Sequence, residues 1–352
     1  MPSDQEPTHL AAMKGDGFYN RHSAMQTTGI AALLPLWEAA CRTVVVGEGP
    51  MTIVDYGCSQ GRNSMIPMRV AIEALRLRSG VPIEVVHTDL PSNDFSALFE
   101  VLASDLNSYM NDASEVFPSA IGRSYFEALF PPQRVGLAWT TWALQWMSVS
   151  TIEAPDHILA GMSSEASVVA AVREQQAKDW ELFLTLRSRE MRPGAKLLAG
   201  FTARTANATG WEWLLGELWA AVCDMATEGW LSEPERKRLT IPIGLRTLAE
   251  IERPFAEAGV FAGLALDHLE LVKLADPCWE DFERSGDASA FAKRYADMTQ
   301  AWCAPMIASL VAPFREPTAF LAELFARFEQ RLSERPRRHE PYMAAVVLSK
   351  RA

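Results

Sequence analysis

Apolar positions along the chain alternate between two periods. Short β-branched runs at 51–56, 83–88, 135–140 and 195–203 read as strands, and the 3.6-residue patterns between them at 64–79, 93–111 and 165–191 read as helices. This alternation predicts an α/β fold built on a doubly wound, parallel sheet. Two later strand-like runs, 262–274 and 342–349, complete it. The Trp-rich stretch 211–230 and the helical patterns at 246–258, 287–311 and 317–333 stand between those runs without strands of their own. They predict a helical cap over the C-terminal ends of the strands, where such sheets bind ligands. The expected division is interleaved: residues 1–150, 190–210, 260–275 and 340–352 form the core, and 211–258 with 280–335 form the cap.

The first strand runs into IVDYGCSQGRN, residues 53–63. Gly57 and Gly61 let the backbone turn sharply beside a ligand, and Asp55 places a carboxylate at the strand end. A pyrophosphate site needs G-x-G-x-x-G opening onto a helix N-terminus. Here the glycines are spaced G-x-x-x-G behind an acid that repels phosphate. S-adenosyl-L-methionine, with an ammonium, a sulfonium and ribose hydroxyls, fits better. The next strand, in IEVVHTDLPSNDF (83–95), ends at Asp89, which can accept hydrogen bonds from both ribose hydroxyls. One acid after a strand is ordinary turn chemistry; two on consecutive strands change the reading.

With 352 residues and 49% apolar content, the chain can bury a large core. No apolar run approaches the roughly 20 residues that span a bilayer, and MPSDQEPTHL lacks the design of a secretion signal, so a cytoplasmic protein without a membrane partner is expected. The cysteines (Cys41, Cys58, Cys223, Cys278, Cys303) form no C-x-x-C pair, which suggests neither a disulfide framework nor zinc. A formal charge of −11 argues against nucleic acid, and the basic RPRRH at 335–339 is too short to reverse this.

Five blocks in order resemble the plant SABATH methyltransferases, over nearly the whole chain: MKGDGFYNRHSAMQ (13–26), DYGCSQGRN (55–63), TDLPSNDF (88–95), GRSYFEALFP (122–131) and TTWALQWMS (140–148). The resemblance implies transfer of a methyl group from S-adenosyl-L-methionine to a small carboxylic acid, and a homodimer. It implies cofactor contacts at Tyr19, Ser23, Asp55, Gly57, Cys58, Asn63, Asp89, Leu90, Ser124 and Tyr125. Ser23 and Asn63 suit the methionine end, and Leu90 with Tyr125 suit an adenine. For Cys58 a packing role is expected instead of chemistry.

Substrate contacts are implied at Gln26, Trp142, Gln145 and Trp146, with Lys14 near the N-terminal opening and Trp213, Leu214 and Leu215 as cap walls. Gln26 and the Trp146 indole offer N–H donors suited to gripping a carboxylate. Trp139 is expected in the core. The chain also departs from the family. Trp142 replaces a tyrosine, and Gln145 stands where methionine or histidine is usual. The loop that holds a metal in some members reads KRLTIP (237–242), with Lys237 and Thr240 in the ligand positions, so no metal is expected. None of His22, His87, His157, His268 and His339 falls on a matched contact, and His9 lies near the N-terminus. A carboxylate nucleophile needs no base. The alternatives are N-methylation of a small heterocycle, or a cofactor-binding protein with a degenerate substrate pocket.

Overall fold

The strands Met51–Tyr56 (β1), Ile83–Asp89 (β2), Val116–Gly122 (β3), Val135–Thr141 (β4), Met191–Ala203 (β5), Val260–Phe261 (β6), Leu264–Lys273 (β7) and Tyr342–Lys350 (β8) share one sheet. Their order is β3-β2-β1-β4-β5-β8-β7-β6. This computed structural model describes residues 13–111, 114–149 and 152–351; His9 and the expected core boundary at 150 lie outside them. β1 is buried along its whole length, as expected of a central strand covered on both faces. Helices Phe18–Arg21 (α1) and Ala24–Thr43 (α2) precede it, and Met65–Arg76 (α3) and Phe95–Ser104 (α4) follow β1 and β2. Leu33 and Trp37 of α2 pack with Met68 and Leu75 of α3 on one face of the sheet. The opposite face packs on Ala166–Glu190 (α5) through Trp180, Phe183 and Leu184.

The sheet differs from the expected parallel one. β1 to β5 are parallel, but β8 runs antiparallel to both β5 and β7, and β6 pairs antiparallel with β7. Local apolar pattern sets which face of a strand is buried and carries no information about strand direction. β3 has no counterpart among the expected strands. It is an edge strand with Pro118 inside it and Phe117 exposed, so it lacks the buried β-branched signature.

Helices Glu212–Thr227 (α6), Glu233–Arg238 (α7), Leu248–Glu252 (α8), Pro277–Ser285 (α9), Ala288–Val311 (α10) and Pro317–Glu334 (α11) supply the rest. α6, α10 and α11 bury Leu218, Val222, Tyr295, Phe320 and Phe328 in a core of their own. Among the described residues, no helix is long and apolar enough to cross a membrane.

Gly57 fixes the turn that leaves β1. Its φ is +81°, and a Cβ there would sit 2.6 Å from the Ala143 Cβ. Gly57→Ala is therefore expected to cost about 1–3 kcal/mol of folding free energy. Urea denaturation measures this, and an unchanged midpoint would show that the turn can relax.

Candidate active site

The turn after β1 is tied to the end of β2. The Gly57 and Cys58 N–H groups both donate to the Thr88 carbonyl, at 2.8 and 3.0 Å. The Asp89 carboxylate accepts from the Ser59 N–H at 2.7 Å and from the Leu90 N–H at 2.8 Å. Burial pushes the Asp89 carboxyl up to about 6, with Asp55 adding repulsion, although the two backbone donors favour the charged form. The N-terminal segment closes on this turn. Asn20 donates twice to Gln60, through its backbone N–H and its side-chain amide, the Gln60 amide donates to the Lys14 carbonyl at 2.9 Å, and the Lys14 N–H donates to the Ala301 carbonyl of α10 at 3.1 Å.

Two cavities meet here. The first, about 620 Å³, is walled by Gly57, Ser59, Asp89, Leu90, Ser124, Tyr125, Phe126 and Ala143. It joins a glycine turn, a carboxylate and two hydroxyls to flat apolar groups. The buried Ser59 hydroxyl has no partner. These groups fit the adenosine part of S-adenosyl-L-methionine: a ribose at Asp89, and a heterocycle between Leu90, Tyr125 and Phe126. The Tyr125 hydroxyl donates to the Ala143 carbonyl at 2.8 Å, which fixes the ring.

The second cavity, about 500 Å³, is walled by Gln26, Gln145, Leu159, Thr202, Trp211, Leu215, Ile243, Leu245 and Trp302. Met13, Tyr19, Trp142 and Trp146 line both cavities. No side chain of the second cavity is an acid, a histidine, a lysine or an arginine. Trp146 is set by a β-bridge to Ile243 and packs edge-on against Trp302 at 6.4 Å. The Trp142 indole donates to the Gln26 carbonyl at 3.2 Å.

Several sequence-predicted residues stand behind these walls. Asp55 accepts from Ser64 and pairs with His87 Nδ1 at 3.1 Å, so its carboxylate is spent beneath the turn instead of facing the ligand. Ser23 donates to Asn63 at 3.5 Å, and neither reaches the first cavity's wall. The Cys58 thiol is buried beside Ser59, and burial pushes its pKa well up, in keeping with packing. Lys14 and Trp213 line neither cavity. The Lys14 ammonium sits 3.9 Å over the Phe18 ring, and Trp213 packs on Phe291 and Tyr295 inside the helical core. Leu214 is likewise core, whereas Leu215 is a wall; Trp139 is core as expected. In the loop 237–242, Lys237 pairs with Glu233 and the Thr240 hydroxyl donates to the Ile152 carbonyl. Ser59, Phe126, Thr202, Trp211, Ile243 and Trp302 are walls that sequence reasoning missed. Only Ser59 and Phe126 fall inside a matched motif, where they could have been found.

A mixed sheet whose strands β1 to β5 run parallel, with a glycine turn after β1, an acid at the end of β2 and an adjoining aromatic cavity, defines a methyltransferase that uses S-adenosyl-L-methionine. The family model described as SAM dependent carboxyl methyltransferase matches residues 6–351, and the chain belongs to this SABATH family. It is 26% identical to salicylate carboxymethyltransferase of Clarkia breweri, covering 97% of this chain and 96% of that one. It is also 26% identical to anthranilate O-methyltransferase 2 of Zea mays, with the same coverage. The structure of a loganic acid methyltransferase with SAH superposes with a TM-score of 0.78 at 20% identity, over 97% of this chain and 99% of that chain. The methyl donor is S-adenosyl-L-methionine, and the substrates are small carboxylic acids.

If Asp89 holds the ribose, cofactor binding should depend on pH. Ribose hydroxyls would donate to the ionised carboxylate, so affinity for the demethylated cofactor should be level above pH 7 and fall as pH drops through about 6. Asp89→Ala should weaken binding by roughly 1.5–3 kcal/mol and abolish this acid limb. Calorimetry from pH 5 to 8 tests both, and a level profile in the unmodified protein would remove Asp89 from ribose binding.

Proposed function

We propose that this protein makes the methyl ester of a small carboxylic acid with an aromatic or apolar body, by in-line transfer. The observation that carries this reading is the second cavity, walled by indoles and aliphatic groups and holding no acid or base. A carboxylic acid with a pKa of about 4 is ionised at neutral pH and attacks without losing a proton there. A phenol or ring nitrogen that must shed a proton would need a base to take it, and the walls hold no His, Asp, Glu or Lys. The site thus favours the ester over N-methylation, and its closed aromatic walls favour a working pocket over a degenerate one.

Asp89, Leu90, Ser124 and Tyr125 would hold the adenosine part of the cofactor. Bound S-adenosyl-L-methionine supplies a methyl group on a cationic sulfur, which accepts the electrons of the breaking carbon–sulfur bond as the ester forms. Gln26 and Trp146 would grip the acid through N–H donors and aim one oxygen at the junction of the two cavities. Met13, Tyr19 and Trp142, shared by both cavities, would keep water from that junction. Charge is neutralised in this reaction, so a dry junction with preset donors favours it over the same reaction in water. The engaged side chains of Lys237 and Thr240 support activity without a metal. Free cysteines support a cytoplasmic setting, and family membership supports a homodimer, which sedimentation velocity would test.

Gln26→Ala and Trp146→Phe should each raise KM and lower kcat/KM by roughly tenfold or more, the loss expected for a hydrogen bond to a charged group. Between pH 6.5 and 9, kcat/KM should show no rising limb from substrate ionisation. Mass spectrometry of the product decides the class: a methyl on nitrogen, with no ester cleaved by mild base, would overturn this reading. Turnover should also persist after exhaustive chelation; loss with EDTA and recovery with magnesium would contradict metal independence.

A further inference from the structure

The walls of the second cavity carry polar atoms that the protein leaves without partners. The Gln145 amide nitrogen donates to the Trp142 carbonyl at 2.6 Å. This bond orients the carboxamide, and its Oε1 is left buried with no donor. Thr202, near the end of β5, is 4% exposed and its hydroxyl is also unpartnered. The Trp211 indole N–H, at the start of α6, is a third such group. All three residues wall the same cavity and come from different parts of the chain, and Gln26 adds a fourth buried orphan, its Oε1, to the same wall. Buried polar groups are nearly always satisfied, so a cluster of unsatisfied ones around a cavity points to a ligand that supplies the partners.

We propose that the body of the acid carries a neutral hydroxyl group, read by Gln145 and Thr202. The proposal rests on the ester reading above and adds a substrate class to it. Charge excludes ionised groups on the body of the acid. With no ionisable acid or base among the cavity walls apart from the Tyr19 phenol, a second carboxylate or an ammonium on the acid would be buried without a counter-ion. Hydrogen-bond complementarity narrows the choice further. An ether or carbonyl can accept from Thr202 or Trp211 but gives nothing to Gln145 Oε1. A ring N–H gives to Gln145 and accepts nothing. A hydroxyl donates once and accepts at two lone pairs, so one small group serves an orphan acceptor and an orphan donor together. A wholly apolar acid would fill the volume and leave all three atoms unsatisfied.

The test compares matched pairs of acids with and without the hydroxyl: hydroxybenzoic against benzoic, hydroxyphenylacetic against phenylacetic, and hydroxylated against plain aliphatic acids. The full chain is assayed with S-adenosyl-L-methionine and the ester is measured by mass spectrometry. For the best pair, kcat/KM of the hydroxy acid should exceed that of its partner by roughly tenfold or more, the effect of one satisfied buried hydrogen bond. Gln145→Met and Thr202→Val, close in volume to the residues they replace, should each collapse this ratio toward one. Binding of the demethylated cofactor by each variant reports that it is folded. Equal loss on both members of a pair would make Gln145 and Thr202 structural and overturn the proposal, as would a preference for the deoxy acids. Failure to form an ester from any acid, with the methyl found on another atom, would instead overturn the ester reading and take this proposal with it.

Discussion

The backbone of Trp142 is the constraint on which both cavities depend. It leaves β4 with φ +58°, in the left-handed region, and its N–H donates to the Gly200 carbonyl of β5 at 2.8 Å. That conformation is costly for a bulky residue and persists only where the surroundings impose it. Here they do so on both sides. The indole N–H reaches the Gln26 carbonyl in α2, and the ring lies over Gly29, where a Cβ would come within 2.8 Å of it. One residue thereby joins α2, β4 and β5 at the point where the two cavities meet. The loop that follows carries Ala143, Gln145 and Trp146, so the orientation of three further walls descends from this strained position.

Charge is handled by segregation. Ionised groups near the site are spent on scaffolding, and the substrate side is left neutral. Arg187 and Glu190 form a buried pair with N–O contacts of 3.1 Å, and Glu190 also accepts from the Leu129 and Phe130 N–H groups. The pair thus braces the segment that follows Ser124 and Tyr125. Arg246 is buried against the carbonyls of Leu144 and Gln176, where burial lowers its pKa to about 10. It fixes the loop between Trp142 and Trp146 from behind. In the proposed reaction, an acid entering the neutral cavity would find its counter-charge in the cofactor. Attraction between the two would draw the reacting atoms together and would vanish once the ester has formed, which would aid release.

The parts of the site that could be read from sequence are those in which one short segment does one job. The turn at Gly57, the acid Asp89 and the pair Leu90 and Tyr125 are local devices, and each lies on the first cavity. Asp55 shows the limit of a local reading: sequence puts it at a strand end but cannot show that His87, one strand away, pairs with its carboxylate. Lys14 shows the same limit, since its place near the opening says nothing of the Phe18 ring that holds its ammonium. The second cavity was only half legible. Gln26, Trp142, Gln145 and Trp146 stand in motifs, whereas Thr202, Trp211, Ile243 and Trp302 come from four separate segments that only the folded chain brings together. Trp213, expected as a cap wall, packs in the core while Trp211 lines the cavity, so a difference of two positions in one Trp-rich run decides which ring meets which.

The same distinction explains how a conserved reaction and a variable substrate can share one chain. The cofactor cavity is made from consecutive strand ends and their turns, so its geometry follows from sheet register, and β1 and β2 are locked in register from Met51 and Ile83 to Tyr56 and Thr88. The substrate cavity draws its far wall from α6 and α10, whose packing is set by an apolar core and not by sheet hydrogen bonds, and from the segment at Ile243, which is bridged to Trp146. A side chain on that wall can change without disturbing the register that holds Asp89. A change on the helical wall would thus tune selectivity beside Gln145 and Thr202, which stand on the sheet side where the transfer would be aimed. Trp142 and Trp146, which belong to both cavities, are the positions where a change would alter the two together.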